Sequence, residues 1–281
     1  IKLTKPEIIH QTYYSNKNFY TNKKKVKLVL TVYDLIHELF HNDFGFNKNH
    51  RPKLFSLQNS DHIICISNKT KIDLMEIYKI PDEKISVIHL AHTRFDDFNE
   101  EKIFNEPYLL FVGSRKRYKN FFMFIKGFSL SNSLKKDFKI VCFGGGKFDN
   151  KELQIINEIG LNLKNIVQIE GDDQMLSNLY KNAESFIFPS LYEGFGLPAI
   201  EAMSYGCPVL LSSIDVFREI ADDSASFFDP KSPDSIKEKI ENLVYSKENK
   251  KKFINKNYRQ IKKFTWENCA NNTLDVYKKI I

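Results

Sequence analysis

No stretch of this sequence is apolar for long enough to cross a bilayer as a helix, and the opening IKLTKPEIIH does not read as a secretory signal. Cysteine is scarce and scattered. Cys65, Cys142, Cys207 and Cys269 form no C-x-x-C pair, and three of them lie in apolar or helical runs. Reduced, buried thiols and a cytosolic setting are the expectation, in place of a disulfide framework. No zinc-finger, helix-turn-helix or RNA-recognition signature accompanies the basic residues, which leaves nucleic acid without a reader. Internal repeats and low-complexity tracts are absent, as is an Asp-x-Asp pair in a loop that could hold a metal. His10, His89 and His92 read as structural, since no nearby carboxylates complete a metal-ligand pattern. The triple glycine Gly144-Gly145-Gly146 fails the G-x-G-x-x-G spacing, with Asp149 at the last glycine position, so a dinucleotide oxidoreductase is disfavoured.

What is present is an ordinary globular composition over 281 residues, enough for one large or two modest cores. The net charge is +7, a balance that suits an anionic membrane surface or a phosphorylated substrate. Its densest clusters, Lys23-Lys24-Lys25 with Lys27, Lys250-Lys251-Lys252 and Lys262-Lys263, read as solvated faces. Short apolar runs alternate with amphipathic segments along the chain. Strands are expected near 8–10, 27–32, 62–67 and 85–90, then near 108–112, 139–143, 166–169, 185–189, 209–211 and 225–228. Ser67 or Asn68 suits a helix N-cap, as does Asp172 or Asp173. This alternation predicts an α/β protein with parallel sheets covered on both faces, in two Rossmann-like lobes. The boundaries expected are a first lobe and acidic linker over 1–106, a second lobe over 107–264 and a terminal helix over 265–281. That helix carries Trp266, Ala270, Leu274, Tyr277 and Ile281 on one stripe, which taken alone suits a cap on its own lobe.

The rest is organised around residues 185–211, SFIFPSLYEGFGLPAIEAMSYGCPVLL. An apolar strand enters a loop containing Tyr192, Gly194 and Gly196. Pro198 then suits the first turn of a helix, because its fixed φ fits there and its missing N–H would have had no partner. Gly206 suits a left-handed helix end, Pro208 stops continuation, and the next strand begins at Val209. Such a unit aims backbone N–H groups and the positive end of a helix at the mouth of the loop, where a diphosphate would bind. Glu193 on the loop and Glu201 about one turn into the helix frame that mouth. A carboxylate accepts hydrogen bonds from neighbouring hydroxyls, so the pair suits a sugar nucleotide. Upstream, Gly113 leaves a strand into Ser114-Arg115-Lys116-Arg117-Tyr118-Lys119, a basic loop able to approach and neutralise phosphate without a metal.

The segment Glu193-Gly-Phe-Gly-Leu-Pro-Ala-Ile-Glu201-Ala-Met, with seven residues between the glutamates, resembles the signature of the retaining GT-B glycosyltransferases of family 4, densely from Tyr108 to Tyr277. The resemblance implies a GT-B fold whose first lobe is incomplete at its start and whose terminal helix, 265–281, crosses back to that lobe. It implies a hexosyltransferase, mannose favoured, working with retention. GDP-mannose is the favoured donor, as substrate and with no cofactor. The acceptor would be a saccharide or lipid-linked saccharide of surface polysaccharide or lipopolysaccharide synthesis. It also implies a cytoplasmic location with peripheral membrane contact. By the same resemblance the family's Arg/Lys pair falls on Arg115 and Lys119, with Arg117 able to replace Arg115. Glu193 would orient donor-sugar hydroxyls and Glu201 would bind the ribose. Gly113, Ser114, Gly194, Phe195, Gly196 and Leu197 would line the donor. Relatives place a histidine where this chain has Tyr33, so Asp34 and His37 become the acceptor-side candidates. The competing expectation is a sugar-nucleotide-binding module that needs a partner chain to complete its first lobe.

Overall fold

The computed structural model describes residues 6–15, 26–40, 50–94 and 101–281. Lys23, Lys24 and Lys25 lie outside these, as does the middle of the expected linker. The chain divides into two compact units. The first comprises residues 1–91, 193–195 and 264–281; the second comprises 92–192 and 196–263. The division therefore falls before His92, at the start of the acidic stretch expected as a linker.

In the first unit four parallel strands lie in chain order: β1 (Ile8–Gln11), β2 (Lys27–Val32), β3 (His62–Cys65) and β4 (Ile85–Val87). Both faces of β2 and β3 are buried, as a parallel sheet with covered faces requires. One face packs Leu30, Val32, Ile63 and Cys65 against Leu35, Leu57 and Leu74. The helix Asn68–Tyr78 on that side is capped by Ser67, whose side chain accepts from the Thr70 N–H. The opposite face packs Val29, Ile64 and Ile88 against the last helix, Trp266–Ile280. The stripe that packs is Cys269, Val276, Tyr277 and Ile280. Trp266, Leu274 and Ile281, expected on the packed stripe, are instead exposed. The two stripes share Tyr277, whose hydroxyl bonds His10 at 2.6 Å.

The second unit is a six-stranded parallel sheet in the order β10-β9-β8-β5-β6-β7. Its strands are β5 (Tyr108–Val112), β6 (Lys139–Phe143), β7 (Ile166–Ile169), β8 (Ser185–Phe188), β9 (Val209–Ser212) and β10 (Ser226–Phe228). One face buries Leu109, Phe111, Ile140, Ile187 and Leu210 under the phenylalanine-rich helix Phe121–Ser129, with Phe111 and Phe121 at 4.9 Å between ring centroids. The other carries a run of aromatic contacts from Tyr180 through Phe186 and Phe188 to Phe217. Cys65, Cys142 and Cys207 are free and buried. Burial pushes the Cys65 thiol up to about 12, which keeps it an unreactive core residue. Among the described residues no helix is long and apolar enough to cross a membrane.

Candidate donor site

From β5 the chain moves outward through β6 to β7, then returns to place β8 on the other side of β5 and continues to β9 and β10. The strand order thus reverses between β5 and β8. In open α/β sheets a ligand crevice opens at this reversal, outside the carboxyl ends of the strands. Two glycine-containing loops leave these two strand ends.

The first loop begins at Gly113, whose φ of +105° is open at little cost only to glycine. Its N–H donates to the Phe143 carbonyl at 2.9 Å. A short 3₁₀ turn, Arg117–Lys119, follows. Arg117 and Asn120 take φ of 27° and 56°, uncommon for residues with a side chain. Asn120 explains its own conformation. Its amide donates to the carbonyls of Pro189 and Pro230, at 3.0 and 2.8 Å, and so joins the ends of β5, β8 and β10. The Leu191 N–H donates to the Tyr118 carbonyl at 2.7 Å, which ties the two loops directly. Lys119 is half-buried, and its ammonium lies 5.1 Å from the centroid of Phe188, the last residue of β8. A cation from one loop is thereby held at the end of the other loop's strand.

The second loop ends at Gly196, with φ +113°. A Cβ there would fall 2.9 Å from Ile220 and 3.0 Å from Phe217. Both backbone and space therefore demand glycine. The helix Leu197–Ser204 follows, with Pro198 in its first turn. Glu201 lies half-buried one turn in, and its Oε2 accepts from the Tyr180 hydroxyl at 3.2 Å. Burial raises the Glu201 carboxyl above its ordinary value, the Tyr180 bond opposes that rise, and Asp173 adds to it.

Arg115 is placed differently from the expectation for a phosphate cation. Its guanidinium is buried, bonds both oxygens of Glu152 at 2.8 and 3.1 Å, and donates to the carbonyls of Gly144 and Gly146 at 3.2 and 2.8 Å. It stacks on Phe148 at 4.6 Å. A fork of this geometry commits most of its donors to protein acceptors and holds the turn after β6. The turn is tight: a Cβ on Gly145 would fall 2.7 Å from the Gly113 carbonyl oxygen. The other cations of the loop are Lys116, Arg117 and Lys119. Arg115→Lys keeps the charge but loses the fork, and should cost about 1–3 kcal/mol of stability in chemical denaturation. Unchanged stability with lost turnover would return Arg115 to the diphosphate. The spacing Asp149-x-x-Glu152, a capping box in the structure, is the sequence signal that a carboxylate stands near the glycine turn.

Glu193, Gly194 and Phe195 count with the first unit. Glu193 is buried. The Gly194 carbonyl accepts from Ser67 at 2.7 Å and from Thr70 at 3.2 Å. Phe195 packs with His89 and Phe264. Also in the first unit, Asp34 follows β2 and its Oδ1 accepts from the Ile36 N–H at 3.0 Å, opening the short helix Ile36–Leu39 that carries a half-buried His37. Sequence reasoning missed Lys53. It is buried on the helix His50–Asn59, and its ammonium donates to the Asp34 carbonyl at 3.0 Å and to Glu38 at 2.8 Å. Tyr78 donates to the other Glu38 oxygen at 2.9 Å.

Residues 93–260 match the family described as Glycosyl transferases group 1, and residues 1–91 match Glycosyltransferase Family 4. An uncharacterized glycosyltransferase of Methanocaldococcus jannaschii is 28% identical over 246 residues, 82% of this chain and 63% of its own length. The O-antigen chain mannosyltransferase RfbU of Salmonella typhimurium is 30% identical over 188 residues, 67% of this chain and 52% of its own. The chain thus spans between half and two-thirds of the length of these two relatives. Among solved structures, a sucrose-phosphate synthase from Thermosynechococcus elongatus superposes with a TM-score of 0.74 at 18% identity, covering 98% of this chain and 73% of that one. That likeness speaks to the fold: two Rossmann-like lobes of the GT-B type. With a family match running through both loops at the strand-order reversal, the chain belongs to the glycosyl transferases group 1 family.

Proposed function

We propose that this glycosyltransferase moves a hexose, mannose favoured, from a nucleotide-diphospho-sugar to a saccharide or lipid-linked saccharide acceptor with retention. Surface polysaccharide or lipopolysaccharide synthesis is the setting that the relationship to RfbU supports. GDP-mannose is the donor favoured, and peripheral contact with an anionic membrane would serve a lipid-linked acceptor. The diphosphate would lie outside β5 and β8, with the amino end of the helix Leu197–Ser204 facing it and Lys119 and Arg117 neutralising it. Departure of a nucleoside diphosphate concentrates negative charge on the leaving oxygen. A fixed ammonium there stabilises the transition state more than the ground state. Gly113, Ser114, Gly196 and Leu197 would let the backbone approach the phosphates, and Glu201 would accept from the ribose. Glu193, with the backbone of Gly194 and Phe195, would orient the donor sugar, while Asp34 and His37 serve the acceptor.

The observation that carries this reading is the position of Lys119, held over Phe188 where the strand order reverses. Its test is a thermal-shift series with GDP-, UDP-, dTDP- and ADP-sugars, since a ligand specific to the native state raises the melting temperature. GDP-mannose should give the largest rise, and no rise with any of the four would refute donor binding. Glu201→Ala should then weaken donor KM about tenfold or more while changing kcat little. The reverse split would remove Glu201 from the ribose.

A further inference from the structure

We propose that Tyr180 is a positioning residue for the donor: its hydroxyl fixes one oxygen of the Glu201 carboxylate and leaves the other oxygen to meet the ribose. This rests on the donor reading above and names how the ribose contact is set.

Tyr180 lies on the helix Asp173–Asn182 and is 1% exposed. A buried phenol needs a hydrogen-bond partner, and Glu201 Oε2 supplies it at 3.2 Å. The ring is held from two sides. It stacks on Tyr205 at 6.1 Å with 13° between planes and meets the edge of Phe186 at 5.7 Å and 86°. Tyr205 is fixed in turn, its hydroxyl bonded to Ser177 at 2.7 Å and its ring under the Arg94 guanidinium at 5.4 Å. Arg94 also donates to the Ser204 carbonyl at 3.2 Å, at the end of the helix that carries Glu201. The hydroxyl therefore points from a rigid aromatic layer, and the carboxylate that receives it cannot spin about its last torsion without losing the bond. A carboxylate so held offers Oε1 in one direction, which suits a ribose hydroxyl better than a rotating group does.

The same bond favours the ionised form of that acceptor. Burial and Asp173 favour the neutral carboxyl, which accepts less well, and Tyr180 opposes both. The titratable and charged groups around this layer are Tyr180 and Asp173 on one helix, Tyr205 at the end of the helix that bears Glu201, and Arg94 over Tyr205. Loss of the Tyr180 hydroxyl raises the Glu201 pKa further, so acid weakening of nucleotide binding should begin at a higher pH.

A structural role alone, in which Glu201 merely satisfies a buried phenol, makes different predictions. The test uses the full chain and four ribonucleoside diphosphates, GDP, UDP, ADP and CDP, with calorimetry of the tightest binder and of its 2′-deoxy and 3′-deoxy forms. Tyr180→Phe keeps the ring and its packing. It should weaken the ribonucleotide about tenfold and shrink the preference for ribose over deoxyribose, with the acid limb moved upward in pH. Glu201→Gln, which still gives Tyr180 an acceptor, should remove the acid limb. Equal weakening of ribose and deoxyribose forms by Tyr180→Phe, or an acid limb that survives Glu201→Gln, overturns the assignment. If wild type binds none of the four, the donor reading itself fails and takes this inference with it.

Discussion

Lys119→Ala is expected to lower turnover by about 10²–10³-fold with little change in melting temperature, the loss typical when one fixed donor to a developing anion is removed. Two features make this the largest catalytic effect. The ammonium is placed at the carboxyl end of β8, 5.1 Å from the Phe188 centroid and 5.3 Å from that of Tyr118. It also belongs to a turn whose backbone is tied to the opposite loop by the Tyr118–Leu191 bond and by the Asn120 amide. Such anchoring would hold the charge in place before a reaction begins. The aromatic neighbours suggest an alternative, that Lys119 only packs its stem and charge on two rings, a contact worth about 0.5–1 kcal/mol at exposed sites. Lys119→Met separates the two, since methionine keeps apolar contact with the rings. Turnover of Lys119→Met close to wild type would leave Lys119 as a packing residue.

The largest stability effect is expected at Lys53. Its side chain is 2% exposed, that of Glu38 is 5% exposed, and they pair at 2.8 Å. Removing one member of a buried pair leaves the other charge without its counterion, which costs about 3–5 kcal/mol. Lys53→Met should destabilise the first unit by that amount in urea unfolding. Lys53→Met combined with Glu38→Leu should recover much of the loss, because replacing both charges removes the desolvation penalty as well as the attraction. Tyr78 then loses its acceptor, so the recovery should be incomplete. The pair also has a local purpose. Lys53 grips the Asp34 carbonyl, so it holds the turn bearing Asp34 and His37. A Lys53→Met protein as stable as wild type would show that this network contributes nothing.

The fold was legible in the sequence wherever local rules are strong. The strand, glycine loop, proline-started helix and strand over residues 185–211 appear as β8, Gly196 at positive φ, the helix Leu197–Ser204 and β9. Ser67 and Asp172 cap the helices that follow them. What the sequence hid were pairings between residues far apart in the chain. Arg115 reads as one more cation in a basic loop, yet its partner Glu152 lies beyond a whole strand and turn. Lys53 sits in a helix that reads as polar, and only the burial of Glu38 beside it reveals an ion pair. The terminal helix offers two stripes at helical spacing. Of the stripe expected to pack, Tyr277 does so while Trp266, Leu274 and Ile281 are exposed, because periodicity alone does not say which face meets a sheet. Tyr180 lies on a helix whose cap is legible, but its hydroxyl's partner, Glu201, lies on another helix.

The most direct test is a crystal structure of the chain soaked with GDP. The diphosphate should lie at the amino end of the helix Leu197–Ser204, with the Lys119 ammonium within hydrogen-bonding distance of a phosphate oxygen and one Glu201 oxygen on the ribose. A diphosphate bound away from that helix end, or Lys119 turned to solvent beside it, would contradict the donor site described above.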